Sequence, residues 1–243
     1  MSIAFHVIIP ARYQSTRMPG KLLMDLKGQS VLERVYRQAL KARPQSVTIA
    51  TDSELIFNQC RAFGAPVVMT SMAHQSGTDR IAEVVAKPPF LPDDLIVNVQ
   101  GDEPLIAPEL IRQVARSLSS SNASMATLCW PMAATEAHNP NVVKVVRDCH
   151  HQALYFSRQA IPYDRNKTSE ILFRHIGLYA YRTQFLLEFV IWPVCALEAS
   201  ESLEQLRVLW AGHKIQVDEA CVPPLQDINT EEDLALARLS CFS

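Results

Sequence analysis

Along the first half of the chain, short apolar runs of strand length alternate with stretches whose apolar residues recur three and four apart. Residues 5–9, 47–50, 67–69 and 95–99 read as strands, the last apolar enough for a central, doubly covered one. Between the first two, Val31, Leu32, Val35, Tyr36, Ala39 and Leu40 mark one buried helical face, and Ser30 with Glu33 forms a capping-box pair in front of it. Asp52 or Ser53 caps a second helix through Leu55, Ile56, Cys60 and Phe63, closed by Gly64. Gly77 opens a third helix with Ile81, Val84 and Val85, and Pro108 starts a fourth over 109–118. Strand and helix taking turns in this way predicts βαβ units, hence an α/β fold: a mostly parallel, Rossmann-like sheet flanked by helices.

From Met125 the pattern becomes strand-rich, over 125–130, 142–147, 153–157 and 173–182. Residues of about 130–200 are therefore expected to form a β-rich insertion over the main sheet, within one domain spanning 1–243. A helix over 202–211, a strand over 215–217 and a last helix capped by Thr230 complete that domain. Glu231, Glu232 and Asp233 in the first turn of the last helix suit its dipole.

Composition narrows the function. With 48% hydrophobic residues and 23 basic against 25 acidic side chains, the chain has no basic face for a nucleic-acid partner. The six cysteines are scattered singly, without the spacing of a zinc site or a disulfide framework. No apolar segment approaches a membrane span, and the run before Pro10 is too short for a leader, so a cytoplasmic protein is expected.

The chemistry is concentrated in Pro10-Ala11-Arg12-Tyr13-Gln14-Ser15-Thr16-Arg17-Met18-Pro19-Gly20-Lys21, which follows the first strand directly. Arg12, Arg17 and Lys21 suit polyphosphate oxygens, and a loop leaving a strand of an open α/β sheet stands where such sheets bind ligands. The glycine spacing is not that of a Walker loop, and no Ser or Thr follows Lys21. Only seven glycines occur in the chain, and four lie at polar junctions, Gly20, Gly77, Gly101 and Gly177, as expected where backbone approaches a ligand. Asp102, in Gln100-Gly101-Asp102-Glu103-Pro104 at the end of the strongest strand, can hold Mg²⁺ against substrate phosphates.

Several long motifs, in order, resemble the CMP-Kdo synthetase family, the 3-deoxy-manno-octulosonate cytidylyltransferases, nearly end to end. Besides the opening loop they are His74-Gln75-Ser76-Gly77-Thr78-Asp79-Arg80, Val97-Asn98-Val99-Gln100-Gly101-Asp102-Glu103-Pro104 and Val143-Lys144-Val145-Val146. They continue in Ala153-Leu154-Tyr155-Phe156-Ser157-Arg158, Arg174-His175-Ile176-Gly177-Leu178-Tyr179-Ala180-Tyr181-Arg182 and Leu203-Glu204-Gln205-Leu206-Arg207. The resemblance implies a nucleotidyltransferase fold, a homodimer and transfer of CMP from CTP to Kdo, with release of pyrophosphate, for lipopolysaccharide synthesis. It implies that Arg12 and Lys21 hold the triphosphate, that the Ala11 backbone and Arg80 hold the cytidine end, and that Asp102 holds magnesium. Arg17, Gln100, His175, Tyr179, Glu204 and Gln205 would line the sugar pocket.

The chain departs from the family at one point. The family's last motif reads Asp-Thr-Pro-Glu-Asp-Leu, its first aspartate being the second magnesium ligand, whereas the segment here is Asn229-Thr230-Glu231-Glu232-Asp233-Leu234. Asn229 offers a carbonyl oxygen without charge, and Asp227, two residues earlier, is the alternative ligand. Two further readings stay open: a cytidylyltransferase for another acidic sugar, such as a sialic acid or amino-Kdo, and a nucleotide-sugar binding protein impaired in catalysis.

Overall fold

A computed structural model describes residues 3–14, 18–166, 172–225, 228 and 230–240. The expected alternation is present: β1 (His6–Ala11), α1 (Val31–Lys41), β2 (Ser46–Thr51), α2 (Glu54–Ala62), β3 (Val67–Met69), α3 (Gly77–Val85), β4 (Leu95–Asn98) and α4 (Pro108–Ser119). There follow β5 (Met125–Met132), β6 (Lys144–Arg147), β7 (Ala153–Ser157), β8 (Leu172–Arg182), α5 (Thr183–Phe189), α6 (Ala196–Glu201), α7 (Gln205–Trp210), β9 (Ile215–Glu219) and α8 (Glu231–Ser240). The strands join one sheet in the order β3-β2-β1-β4-β8-β5-β9, with β6 and β7 off that path. β1 pairs in parallel with β2 and β4, and β5 with β9; β8 runs antiparallel between β4 and β5.

Helices cover both faces. One core holds Val7, Ile9, Val35, Val97 and Val114; the other holds Ile8, Ile81, Ile96, Tyr181 and Leu206. Burial on both sides is why β1 and β4 read as continuous apolar runs and not as alternating ones. No helix among the described residues is long and apolar enough to cross a membrane.

The expected insertion divides. β8 belongs to the main sheet and α5 and α6 pack after it, so the part standing off the sheet path is the β6–β7 hairpin. Hydrophobic alternation finds a strand but not its neighbour, and β8 carries the same pattern whether it is inserted or central. The helix expected over 202–211 begins at Gln205, because Ser202 adopts a left-handed conformation and ends α6. α5 has no side-chain cap and α6 is capped by the Cys195 sulfur, which leaves neither with the usual start signal. On α1 only half of the capping box forms: the Ser30 side chain accepts from Glu33 N, while the Glu33 carboxylate takes Arg37 at 2.6 Å. Leu40, expected on the buried face of α1, turns outward at the edge of its apolar stripe and is 45% exposed.

Two glycines shape the carboxyl edge of the parallel strands. A Cβ on Gly101 would sit 3.0 Å from the Pro10 carbonyl oxygen and 3.3 Å from the Leu22 side chain. Gly20 has φ of 72°, which an L side chain adopts only at a cost, and its N–H closes the basic loop onto Tyr13 O at 3.0 Å. The structure thus gives Gly101 a packing reason, where the sequence suggested ligand approach. Gly101→Ala must push back a central strand, so it should lower unfolding free energy by about 1–3 kcal/mol in urea titration; an unchanged midpoint would show that the edge has slack.

Candidate active site

The cleft begins where β1 ends. Ala11 is fully buried at the last position of β1, and Arg12 follows it. Arg12 Nη2 is buried with no hydrogen-bond partner among the described residues, an orphaned cationic donor of the kind an anion would satisfy. After the loop, Gly20 starts a single 3₁₀ turn over Lys21–Leu23 that fixes the direction of Lys21. Lys21 is 9% exposed, and its Nζ donates to Asp102 Oδ2 at 2.5 Å and to Ile228 O at 3.0 Å. Two residues assigned to phosphate and metal are thereby in contact. The C-terminal segment passes the same point, since Ile228 N donates to Asp102 O at 3.1 Å. Arg17, Asp227 and Asn229 lie outside the described residues.

Arg80 is placed differently from expectation. Its side chain is fully buried in the first half of α3, where Nη2 donates to Asp52 Oδ2 at 2.6 Å and Nη1 to Thr70 Oγ1. Its terminal nitrogens are thus engaged by Asp52 and Thr70, while Nε is buried without a partner. An arginine in a ligand-like motif carries no sequence signal that tells a buried brace from a ligand donor.

Four of the expected sugar residues converge. Gln100, Tyr179, Glu204 and Gln205 line one cavity of about 240 Å³. Sequence reasoning missed three residues that share it, Thr78, Asn98 and Tyr181, all nearly buried. The Tyr181 hydroxyl is engaged by Thr78 and Asn98, Thr78 also bonds Glu204, and Gln100 Nε2 reaches Asn98 Oδ1 at 3.4 Å. Thr78 is held in place by a complete capping box at the start of α3, with Asp79 N on Ser76 Oγ and Ser76 N on Asp79 Oδ2. That Ser-x-x-Asp spacing was visible in the sequence and could have located Thr78 in the first turn. Gln205 Nε2 is buried without a partner, a second orphaned donor at the cleft. Burial holds the Glu204 carboxyl above its ordinary pKa, although the Thr78 hydrogen bond and Arg207 pull the other way. Burial raises the Tyr179 phenol well above the usual range, with Tyr181 and Glu204 adding to it.

His175 lines a second cavity of about 670 Å³ with Glu103 and Arg174, and its ring meets Tyr179 at 5.2 Å. It sits beside a break in the β5–β8 register between Thr127 and Leu128. The Thr127 hydroxyl fills that break, 2.9 Å from the carbonyls of both Ile176 and Leu178 and 3.0 Å from His175 Nε2. Its one proton goes to a carbonyl, so it accepts from His175, placing the ring proton on Nε2. Burial lowers the His175 pKa to about 3. The imidazole is therefore neutral at physiological pH and offers Nδ1 as an acceptor.

Among the described residues no group of three His, Cys, Asp or Glu side chains is arranged to hold a metal ion. Asp102 is the carboxylate at the phosphate edge, its side chain 28% exposed beside Lys21. One such carboxylate fits the way Mg²⁺ is usually held, by one or two protein oxygens completed with substrate phosphates and water. The five described cysteines are free thiols, and none of them lines the 240 Å³ cavity.

Comparison with known proteins adds to this geometry. Residues 6–215 match the profile of a family described as cytidylyltransferase. The chain is 64% identical over 241 residues, 98% of its length and 96% of the relative's, to a 3-deoxy-manno-octulosonate cytidylyltransferase of Legionella pneumophila (strain Corby). It is 50% identical over 244 residues, covering 97% of both chains, to the Vibrio vulnificus (strain YJ016) protein of the same name. Among solved structures, a CMP:2-keto-3-deoxy-manno-octonic acid synthetase complexed with CTP superposes with a TM-score of 0.92 at 38% identity, covering 98% of each chain.

The tautomer can be checked directly. ¹⁵N-histidine NMR should show His175 neutral with its proton on Nε2 from pH 8 down to pH 5; a midpoint between pH 6 and 7 would mean that the ring is solvated and not buried.

Proposed function

We propose that this chain, which belongs to the cytidylyltransferase family, transfers CMP from CTP to 3-deoxy-manno-octulosonate and releases pyrophosphate, activating the sugar for lipopolysaccharide synthesis. The observation that carries the reading is the cleft itself, with Arg12 and Lys21 after β1 and the Asp102 carboxylate after β4, next to a cavity of amides, hydroxyls and one carboxylate. That division matches two substrates, one a polyphosphate and the other a polyhydroxy acid.

The anomeric hydroxyl of the sugar would attack the α-phosphorus in line, forming the new P–O bond as the bond to the β-phosphate bridge breaks. Lys21 has three donors and uses two, so its third is available to a phosphate oxygen. Arg12 supplies the orphaned Nη2 from the other side of the loop. Both act by position and charge, and no covalent intermediate is needed. When bound, magnesium would neutralise phosphate charge, and Asp102, with Asn229 or Asp227, would hold it.

The sugar cavity is lined by a carboxylate, Glu204, and by neutral groups. A sugar acid entering it would keep its own carboxylate away from Glu204 and turn it toward the cations. In a 2-keto sugar acid the anomeric carbon bears both the carboxylate and the reacting hydroxyl, so this orientation brings that hydroxyl to the phosphate edge. Gln100, Tyr179 and Gln205 would then hold the remaining hydroxyls, with Arg17 and His175 beside them. We assign a homodimer surface to the β-rich stretch at about 130–200, as expected from the sequence, and the protein to the cytoplasm.

The direct test is pyrophosphate release with CTP, Kdo and Mg²⁺, run against the other three nucleotides and other sugar acids. CTP with Kdo should be the best pair, and preference for a sialic acid would move the assignment to another sugar. Lys21→Met should lower kcat/KM by a factor equivalent to about 3–5 kcal/mol while the protein stays folded; a loss of only a few-fold would remove Lys21 from the phosphate role. At the departure from the family motif, Asn229→Asp should lower the Mg²⁺ concentration giving half-maximal rate, because a hard cation prefers carboxylate to amide oxygen. A silent Asn229→Asp with a damaging Asp227→Asn would assign the ligand to Asp227.

A further inference from the structure

Arg158 lies one residue beyond β7, outside the residues placed around the substrates, and each nitrogen of its guanidinium donates to a backbone carbonyl. Nε donates to Glu201 O at 2.7 Å, Nη1 to Pro140 O at 2.9 Å and Nη2 to Ser202 O at 3.3 Å. Glu201 closes the contact from its own side. Its carboxylate accepts from Ser157 Oγ at 2.6 Å and from the Arg158 backbone N–H at 2.9 Å. The hairpin end that carries Arg158 is fixed in turn by Lys144, fully buried, whose Nζ donates to Asn139 O at 3.1 Å, Val142 O at 2.7 Å and Arg158 O.

What this clamp holds is a turn with two unfavourable features. Ser202 has φ of 52° and ψ of 50°, the left-handed region that suits glycine and costs a side chain. Three residues on, Gln205 keeps Nε2 buried with no partner. Ser202, Glu204 and Gln205 all line the 240 Å³ cavity. A turn free to relax would swing out of the left-handed region and let the Gln205 amide find water. Arg158 grips the two carbonyls at that turn, Glu201 O and Ser202 O, from its place directly after β7, and ties them also to Pro140 in the segment before β6.

We propose that Arg158 is a positioning residue for the sugar acid: by clamping the Glu201–Ser202 carbonyls it holds the strained turn that presents Glu204 and Gln205 to the cavity, without itself touching the sugar. The proposal rests on the assignment of that cavity to the sugar. It also gives the β6–β7 hairpin a task within its own subunit, as the fixed point against which the sugar-binding turn is set.

The test compares Arg158→Gln, Arg158→Lys and the double variant Arg158→Gln/Ser202→Gly, by pyrophosphate release and by thermal unfolding. Arg158→Gln should raise the KM of the sugar acid about tenfold and leave the KM of CTP within about twofold. Arg158→Lys, which keeps the charge but loses the fork, should fall between it and wild type. Adding Ser202→Gly should recover about threefold or more of the lost sugar affinity, because glycine adopts the left-handed turn without a clamp. Absence of that recovery would mean that Arg158 contacts the sugar or acts elsewhere, and equal shifts in both KM values would reduce it to a general structural role; either result overturns the proposal. If Arg158→Gln does not fold, Arg158→Lys with and without Ser202→Gly carries the same comparison. Wild type is assayed first: failure with Kdo counts against the assigned substrate, and the variants are then compared with the sugar acid that wild type accepts, whereas a shift in CTP alone would place the cavity with the nucleotide.

Discussion

One buried ammonium sets the terms for the cleft. Lys21 is almost out of water, and a charge in that position must be matched by a partner or it will not stay there. Its partners, Asp102 and Ile228, are 81 and 207 residues away in sequence. Reaching them requires β1 and β4 to be neighbours, the chain to turn at Gly20, and Gly101 to pass close under Pro10. The C-terminal segment must also return to the edge it shares with Asp102. Sheet order, turn chemistry and terminal docking are thus all tied to one contact, and that contact lies where the phosphates are expected.

Beside it, recognition changes character. At the phosphate edge the chain offers full charges. In the sugar cavity it offers a linked set of hydroxyl and amide groups, Thr78, Tyr181, Asn98 and Gln100, around a half-buried Glu204. Neutral groups in fixed positions discriminate between hydroxyl arrangements better than charges, since a misplaced hydroxyl leaves a buried donor or acceptor unpaired. The link through Tyr181 also couples the side chains: Gln100, two residues after β4, and Glu204, in the turn before α7, are joined through Asn98 and Thr78 to a phenol on β8.

Much of this was legible in the residues. The apolar runs and helical stripes gave the parallel strands and α1 to α4, and the Arg-Gly-Lys loop and Asp102 fell at the ends of the strands where an α/β sheet binds ligands. Thr230 caps α8 as read, with Asp233 returning the bond. What escaped was information that only assembly supplies. Asn98 and Tyr181 sit in apolar strands and look like core until their polar atoms are found to meet across β4 and β8. The partners of Arg80, Asp52 and Thr70, lie outside the motif that carries it and have no mark in the sequence. α5 and α6 are short and lack Ser, Thr, Asp or Asn caps, so their starts left no mark.

Buried cations are the features most easily misread in such a chain, and counting their donors separates them. Lys144 spends all three on backbone carbonyls, and burial lowers its pKa from the ordinary lysine value. Arg158 has each guanidinium nitrogen on a carbonyl, and Arg80 has both terminal nitrogens on Asp52 and Thr70 while its Nε is buried without a partner. Lys144 and Arg158 would have to leave backbone carbonyls to turn to a ligand, which fits structural work. Lys21 has a spare donor and a carboxylate partner that is itself part-exposed, and Arg12 has a buried nitrogen with nothing opposite it. A polyanion at Lys21 and Arg12 would therefore gain hydrogen bonds, whereas at Lys144 it would have to break them. That difference supports the proposed place of the phosphates at the β1 loop, with Lys144 and Arg158 bracing the hairpin and the turn they bind.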